Sequence, residues 1–147
     1  MANERAGAEI MYGDEGCRRY SIDLLEELGF PKGVLPLKDF VECGRVRQTG
    51  FVWIKQKGPY EHFFEETNTH ANYATEISAY IEKCKMTKVT GIKIKKMMMW
   101  VPIVEMSMEN EKSSKIYFKT SVGVGKSFPV TAFMINEEKK KYPKQSK

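Results

Sequence analysis

Cysteine, histidine and long apolar runs are scarce in this chain, and each scarcity excludes a class of protein. Among 147 residues there are three cysteines and two histidines. Cys17, Cys43 and Cys84 are odd in number, widely spaced and without a C-x-x-C pair, which excludes a disulfide framework and a zinc knuckle and fits a reducing compartment. No metal site and no cofactor is expected. The longest apolar run, Met97 to Val104, is eight residues, far below the ~18 of a membrane-spanning helix. The opening "MANERAGAEIMYGDE" lacks an apolar core behind a basic flank and carries several acids, so neither a secretory signal nor a transit peptide is expected, and the expected location is cytoplasmic.

Catalytic patterns are equally sparse. There is no Gly-x-Ser-x-Gly elbow, and His62 and His70 are the only conventional bases. Glu61, Glu65 and Glu66, or Glu109 and Glu111, sit beside turn signals where acids are ordinarily hydrated. "SVGVGKSFPV" ends like a phosphate-binding loop, which needs Gly-x-x-x-x-Gly-Lys-Ser/Thr after a strand and opening a helix. Thr120 stands where the first glycine belongs, and Pro129 follows too closely for a helix, so nucleotide binding is not expected. No catalytic residue is assigned.

The net charge is +5, of which residues 137–147, with five lysines and two glutamates, contribute +3 and leave +2 for the rest. Lys93, Lys95, Lys96, Lys115 and Lys119 alternate with apolar residues as on a solvated sheet face, so no nucleic-acid partner is expected.

What is present reads as one domain, with a segment at 1–13 that could hold a short helix, a β-rich domain over 14–136, and a disordered basic tail at 137–147. Cys17, Tyr20, Leu24, Leu25 and Leu28 recur at helical spacing, with Asp14 as the expected cap and Gly29 and Pro31 as the stop. Both alternating sets of Gln48 to Lys55 are apolar, which predicts a strand covered on both faces. From Val89 to Glu109, Ile92, Ile94, Met98, Trp100, Val104, Met106 and Met108 share one parity, predicting a strand pair or one bent strand with an edge or bulge near Pro102. Met97, Met99, Val101 and Ile103 make the other face apolar, and the Leu24/Leu25/Leu28 helix is the expected cover. Strands are also expected at Lys115 to Thr120 and Phe128 to Ile135. "ANYATEISAYIEKC" fits a helix and a strand alike, its β-branched content favouring strand.

The fold class is therefore mainly β, a twisted antiparallel sheet or barrel-like domain of about 7–9 strands with an amphipathic N-terminal helix packed on it. Nine methionines are many for this length, and a flexible thioether suits a surface that adapts to ligands of varied shape. The candidate ligand-binding residues are Trp53, Met97, Met99, Trp100 and Phe118.

"LLEELGFPKGVLPLKDF", "TGFVWIKQK", "VTGIKIKKMMMWVPIVEM" and "KSFPVTAF", in that order from Leu24 to Phe133, together resemble a plant family catalogued as domain-of-unknown-function family 538. More narrowly, they resemble its cytosolic branch without signal peptide, which includes proteins connected with trichome branching. The resemblance implies a mostly β domain with an N-terminal helix, similar to half of the bactericidal permeability-increasing protein fold, whose members hold lipid in an apolar pocket. It also implies strand for "ANYATEISAYIEKC". Proposals for the family include binding of lipid or lipopolysaccharide and binding or hydrolysis of chlorophyll; it has no agreed catalytic motif, and fold alone does not transfer function. The leading expectation is a non-enzymatic protein that binds an apolar or amphipathic ligand such as lipid or pigment. The alternatives are a chlorophyll or ester hydrolase and a protein-interaction module using the basic tail.

Overall fold

The computed structural model describes residues 3–123 and 125–141. In chain order these form β1 (Glu9–Tyr12), α1 (Asp14–Glu27), β2 (Phe40–Val46), β3 (Phe51–Gln56), β4 (Tyr60–Phe64), β5 (Thr69–Glu82), β6 (Lys85–Lys96), β7 (Met99–Ser107), β8 (Lys115–Thr120), β9 (Lys126–Pro129) and α2 (Asn136–Lys141), with 3-10 turns at Glu65–Thr67 and Val130–Phe133. All strands pair antiparallel in one sheet of order β1-β2-β3-β5-β6-β7-β8-β9, with β4 on β5. The sheet is open: β1 and β9, four residues each, end its main path, and β4 pairs with β5 alone.

The end of α1 follows from its sequence. Gly29 takes φ +85°, its N–H donates to the Glu26 carbonyl at 3.2 Å, and the Phe30 N–H donates to Leu25 at 2.8 Å. This paired closure requires a left-handed residue at its turn, and Phe30 and Leu25 are both buried beside it. A Cβ at Gly29 would also lie 2.9 Å from Cys84 Sγ. Gly29→Ala should therefore cost about 1–2 kcal/mol, read as a lowered denaturation midpoint; a midpoint equal to wild type would contradict this account. The start of α1 differs from expectation. Gly13 is the cap residue, without a side-chain bond, and the Asp14 carboxylate instead accepts the Phe40 N–H at 2.9 Å. That bond, aided by Arg18, holds the Asp14 carboxyl below its ordinary range and ties the helix to β2.

The main core lies between α1 and one face of the sheet, where Cys17 and Leu25 join Cys43, Ile54, Ile77, Ile81, Met86, Val89 and Ile92. Toward the β9 edge it ends in an aromatic cluster of Phe64, Phe118, Phe128 and Phe133. A second, smaller core of Val46, Phe51 and Trp53 packs with Ala8 and Tyr80. β3 thus buries side chains on both faces, as its two apolar sets predict. The N-terminal segment supplies the second cover: residues 3–8 form turns and Glu9–Tyr12 pair with β2, where a short helix was conceivable. Arg5 lies 4.4 Å over the Trp53 ring, and Tyr80 Oη donates to Glu4 at 2.8 Å.

"ANYATEISAYIEKC" is strand as far as Glu82, where β5 ends, with Lys83 and Cys84 as the turn into β6, and β8 spans Lys115–Thr120 as expected. The last predicted strand is shorter: after Pro129 the chain turns into the 3-10 segment that places Val130 and Phe133 in the core. Of the tail expected from residue 137, residues 137–141 belong to α2, and residues 142–147 lie outside the described residues.

Candidate functional site

β6 and β7 are joined by Met97 and Met98 alone, both at positive φ (48° and 74°). Two-residue hairpin connections favour this backbone because it matches the twist of the strands, and Asn-Gly is the pair that adopts it at least cost. Two bulky thioethers stand there instead, and they bury nothing: Met97 is 96%, Met98 86% and Met99 68% exposed, with Trp100 at 36%. The turn also resets the alternation. Ile94 pairs with Val101 and Lys96 with Met99, so residues sharing a face are even-numbered on β6 and odd-numbered on β7. Ile92 and Ile94 are followed into the core by Ile103, a register shift between Ile103 and Glu105 restores even numbering, and Met106 and Met108 are buried after it. Met98 and Trp100, expected on the buried parity, are therefore turned out.

Pro102 fits the expectation of an irregularity, although β7 is an interior strand. Its carbonyl accepts the Ser121 N–H at 3.0 Å, and N and O of one strand residue point the same way, so the missing donor faces the turn where β8 has ended. The expected cover of Met97 and Met99 by α1 is corrected. The helix packs over the β2, β3, β5 and β6 positions from Cys43 to Ile92, leaving the hairpin tip bare.

The five residues singled out from the sequence fall in three places. Met97, Met99 and Trp100 meet at the tip, joined by Met98. Trp53, 1% exposed, belongs to the second core and donates Nε1–H to Glu42 at 2.6 Å. Phe118 is buried in the aromatic cluster, 5.5 Å from Phe128 and 5.2 Å from Phe133. Sequence reading missed the lysines. Lys95 pairs with Trp100 across the hairpin, its Nζ 5.9 Å from the ring. Among the described residues no carboxylate lies within 4.0 Å of Lys93, Lys95 or Lys96. The available signal was a gap in acids: from Lys83 to Val104 the chain has six lysines and no aspartate or glutamate.

The other chemistry is dispersed. His62 Nδ1 lies 3.1 Å from Tyr60 Oη, and burial followed by the charge of Lys38 lowers the imidazole's pKa. His70 Nδ1 lies 3.2 Å from Glu61, both half exposed. Among the described residues neither imidazole is hydrogen-bonded to a serine, threonine or cysteine side chain. All three cysteines are buried free thiols, and burial pushes Cys43 up to about 12, so it stays protonated and is no nucleophile at neutral pH. No three histidine, cysteine or acidic side chains converge among the described residues. Lys126 opens strand β9, paired to Phe118, where a phosphate-binding loop would need a helix. No described helix is long and apolar enough to cross a membrane.

Interior space is small. The void beneath α1 measures about 40 Å³ and that beside the aromatic cluster about 20 Å³, against roughly 300–1,000 Å³ for ordinary ligand sites. A cleft of about 630 Å³ between the α1–β2 loop and α2 mixes Phe30, Met108, Val130 and Met134 with Lys32 and Glu138. Its walls are linked by Glu138, which accepts the Lys32 and Ile135 N–H groups at 2.8 and 3.0 Å.

The model of a family described as "Protein of unknown function, DUF538" matches residues 21–134, a span that includes the whole β6–β7 hairpin. No curated protein and no solved structure matches the chain.

Proposed function

The chain belongs to the DUF538 family, and we propose that it is a non-enzymatic binding protein for amphipathic ligands of the lipid or pigment class, engaging them at its surface through the β6–β7 hairpin. One observation carries this reading. Met97 and Met98 occupy left-handed backbone that disfavours bulky side chains, bury nothing within the fold, and are followed by exposed Met99 and Trp100. Departures from local backbone preference at an exposed site mark a use outside the fold. Burying three methionine side chains in an apolar phase is worth about 4.5–9 kcal/mol before the costs of association, and the flexible thioether accommodates ligands of irregular shape.

The test separates binding from folding. Trp53 is buried and Trp100 exposed, so a blue shift of tryptophan emission on adding dodecylphosphocholine micelles should arise from Trp100 and vanish in Trp100→Phe. Replacing Met97→Asn together with Met98→Gly installs the preferred turn pair. This variant should unfold at a higher temperature than wild type, by about 0.5–2 kcal/mol of stability, while binding micelles at least tenfold more weakly. Wild-type emission that micelles never shift would sink the proposal, and so would undiminished binding by the stabilised variant.

A further inference from the structure

We infer that the natural partner of the hairpin is the surface of an anionic lipid bilayer, into which Met97, Met98, Met99 and Trp100 insert while Lys93, Lys95 and Lys96 lie against the headgroups. The inference rests on the proposed amphiphile binding and names its partner. Three observations select a bilayer over a small molecule.

The first is shape. The methionines stand on a projecting tip, whereas a single lipid or pigment molecule is ordinarily held in a concave site. β8 stops at Thr120, opposite Ile103, and the last β5 pair is Ala71 with Ile94. β5 itself begins at Thr69, level with Lys96 in that register, so the Met97–Met98 turn is what reaches past β5, and its extended thioether side chains suit the ~5–10 Å depth to which interfacial apolar faces enter a membrane.

The second is charge. The stretch Lys83–Val104 carries six positive charges and no negative one, in a chain whose total is only +5. Lys93 and Lys95 are exposed directly behind the tip, with no carboxylate within 4.0 Å among the described residues, and a convex apolar tip with a cationic base complements an anionic plane. The nearest acids along the chain, Glu82 and Glu105, bound this stretch; across the sheet Glu61 lies in the Lys93 row, two strands away and 3.2 Å from His70, and Glu66, on the β4–β5 turn at the same end, is engaged by the Thr131 hydroxyl. The third observation is composition by depth. Trp100 is level with its cross-strand neighbour Lys95, one residue behind Met99 and Lys96, and an indole beside a cation directly behind an apolar tip matches the level that tryptophan favours at a membrane boundary. Val122, 70% exposed on the turn after β8, extends the apolar surface at this end.

Flotation with vesicles tests the inference. Wild-type protein should bind phosphatidylcholine vesicles weakly and phosphatidylserine-containing vesicles strongly, with the difference shrinking as salt is raised. Each lysine near such a surface contributes about fivefold, so Lys93→Gln, Lys95→Gln and Lys96→Gln together should cost roughly a hundredfold on the anionic vesicles. An unchanged melting transition would show that this variant is folded. Equal binding to both vesicle types, or undiminished binding by the triple variant, overturns the inference. Competition by soluble glycerophosphoserine also overturns it, because the site would then be reading a headgroup. A Trp100 shift with micelles but no vesicle binding defeats this inference and leaves the proposed amphiphile binding standing; no response to either defeats both.

Discussion

Trp53→Ala should lower the stability of the protein by about 3–5 kcal/mol, the usual cost of deleting a buried tryptophan. The indole is the centre of the second core. It is 1% exposed, 6.0 Å from the Phe51 ring, capped by Arg5 at 4.4 Å, and bonded through Nε1 to Glu42 at 2.6 Å. Opposite it in β2 stands Gly44, where any Cβ would overlap the indole ring. Truncation would leave a void flanked by a glycine that cannot fill it, and would remove the platform on which the N-terminal segment rests. Chemical denaturation measures the loss; a value under about 1 kcal/mol, as for an ordinary surface change, would refute this account. The pair is also coupled. Gly44→Ala should be destabilising beside Trp53 and nearly harmless in the Trp53→Ala background, so a double-mutant cycle should return a large interaction energy.

The second large effect is expected at Gln56, a polar side chain 1% exposed. β5 changes partner along its length, pairing with β4 as far as Tyr73 and with β3 from Glu76, and its register against β6 shifts between Tyr73 and Ser78. The carbonyls of Tyr73 and Ala74 fall at this junction. Gln56 Nε2 donates to both, at 3.1 and 2.9 Å, while its Oε1 accepts the Lys38 N–H at 3.3 Å. Gln56→Leu preserves the volume and removes the donors. With about 1–3 kcal/mol for each buried group left unsatisfied, the expected loss is about 2–4 kcal/mol. It should be accompanied by faster amide exchange in the β3–β5 and β4–β5 ladders near the junction. A leucine variant as stable as wild type would mean that the carbonyls do not depend on this side chain.

Local features were legible where a short-range rule decides the conformation. The three- and four-residue spacing from Cys17 to Leu28 specifies α1, and Gly29 specifies its end because only glycine enters the left-handed turn cheaply. The two apolar sets of Phe51–Ile54 announce a strand covered twice. Other features depend on partners far along the chain. Asp14 reads as a helix cap, yet its carboxylate is taken by the Phe40 N–H, twenty-six residues away. The segment around Glu4 reads as a helical turn, yet Trp53 and Glu42 draw it across the sheet as turns and an edge strand. Phe128 to Ile135 reads as one strand, yet Phe133 is needed in the aromatic cluster and the chain turns after Pro129 to deliver it.

The hairpin divides the two kinds of information most clearly. Composition and alternation by themselves determine a mainly β protein with one N-terminal helix, exclude a phosphate-binding loop through Thr120 and Pro129, and mark Met97 to Trp100 as unusual. Alternation states that a strand has two faces; it does not state which face is covered. That was decided by the two-residue turn at Met97 and Met98, which exchanges odd for even between β6 and β7, and by the placement of α1 over the opposite end of β6. Together they convert an apolar run that reads as core into an exposed tip, because burial belongs to the arrangement of whole elements and not to any one of them.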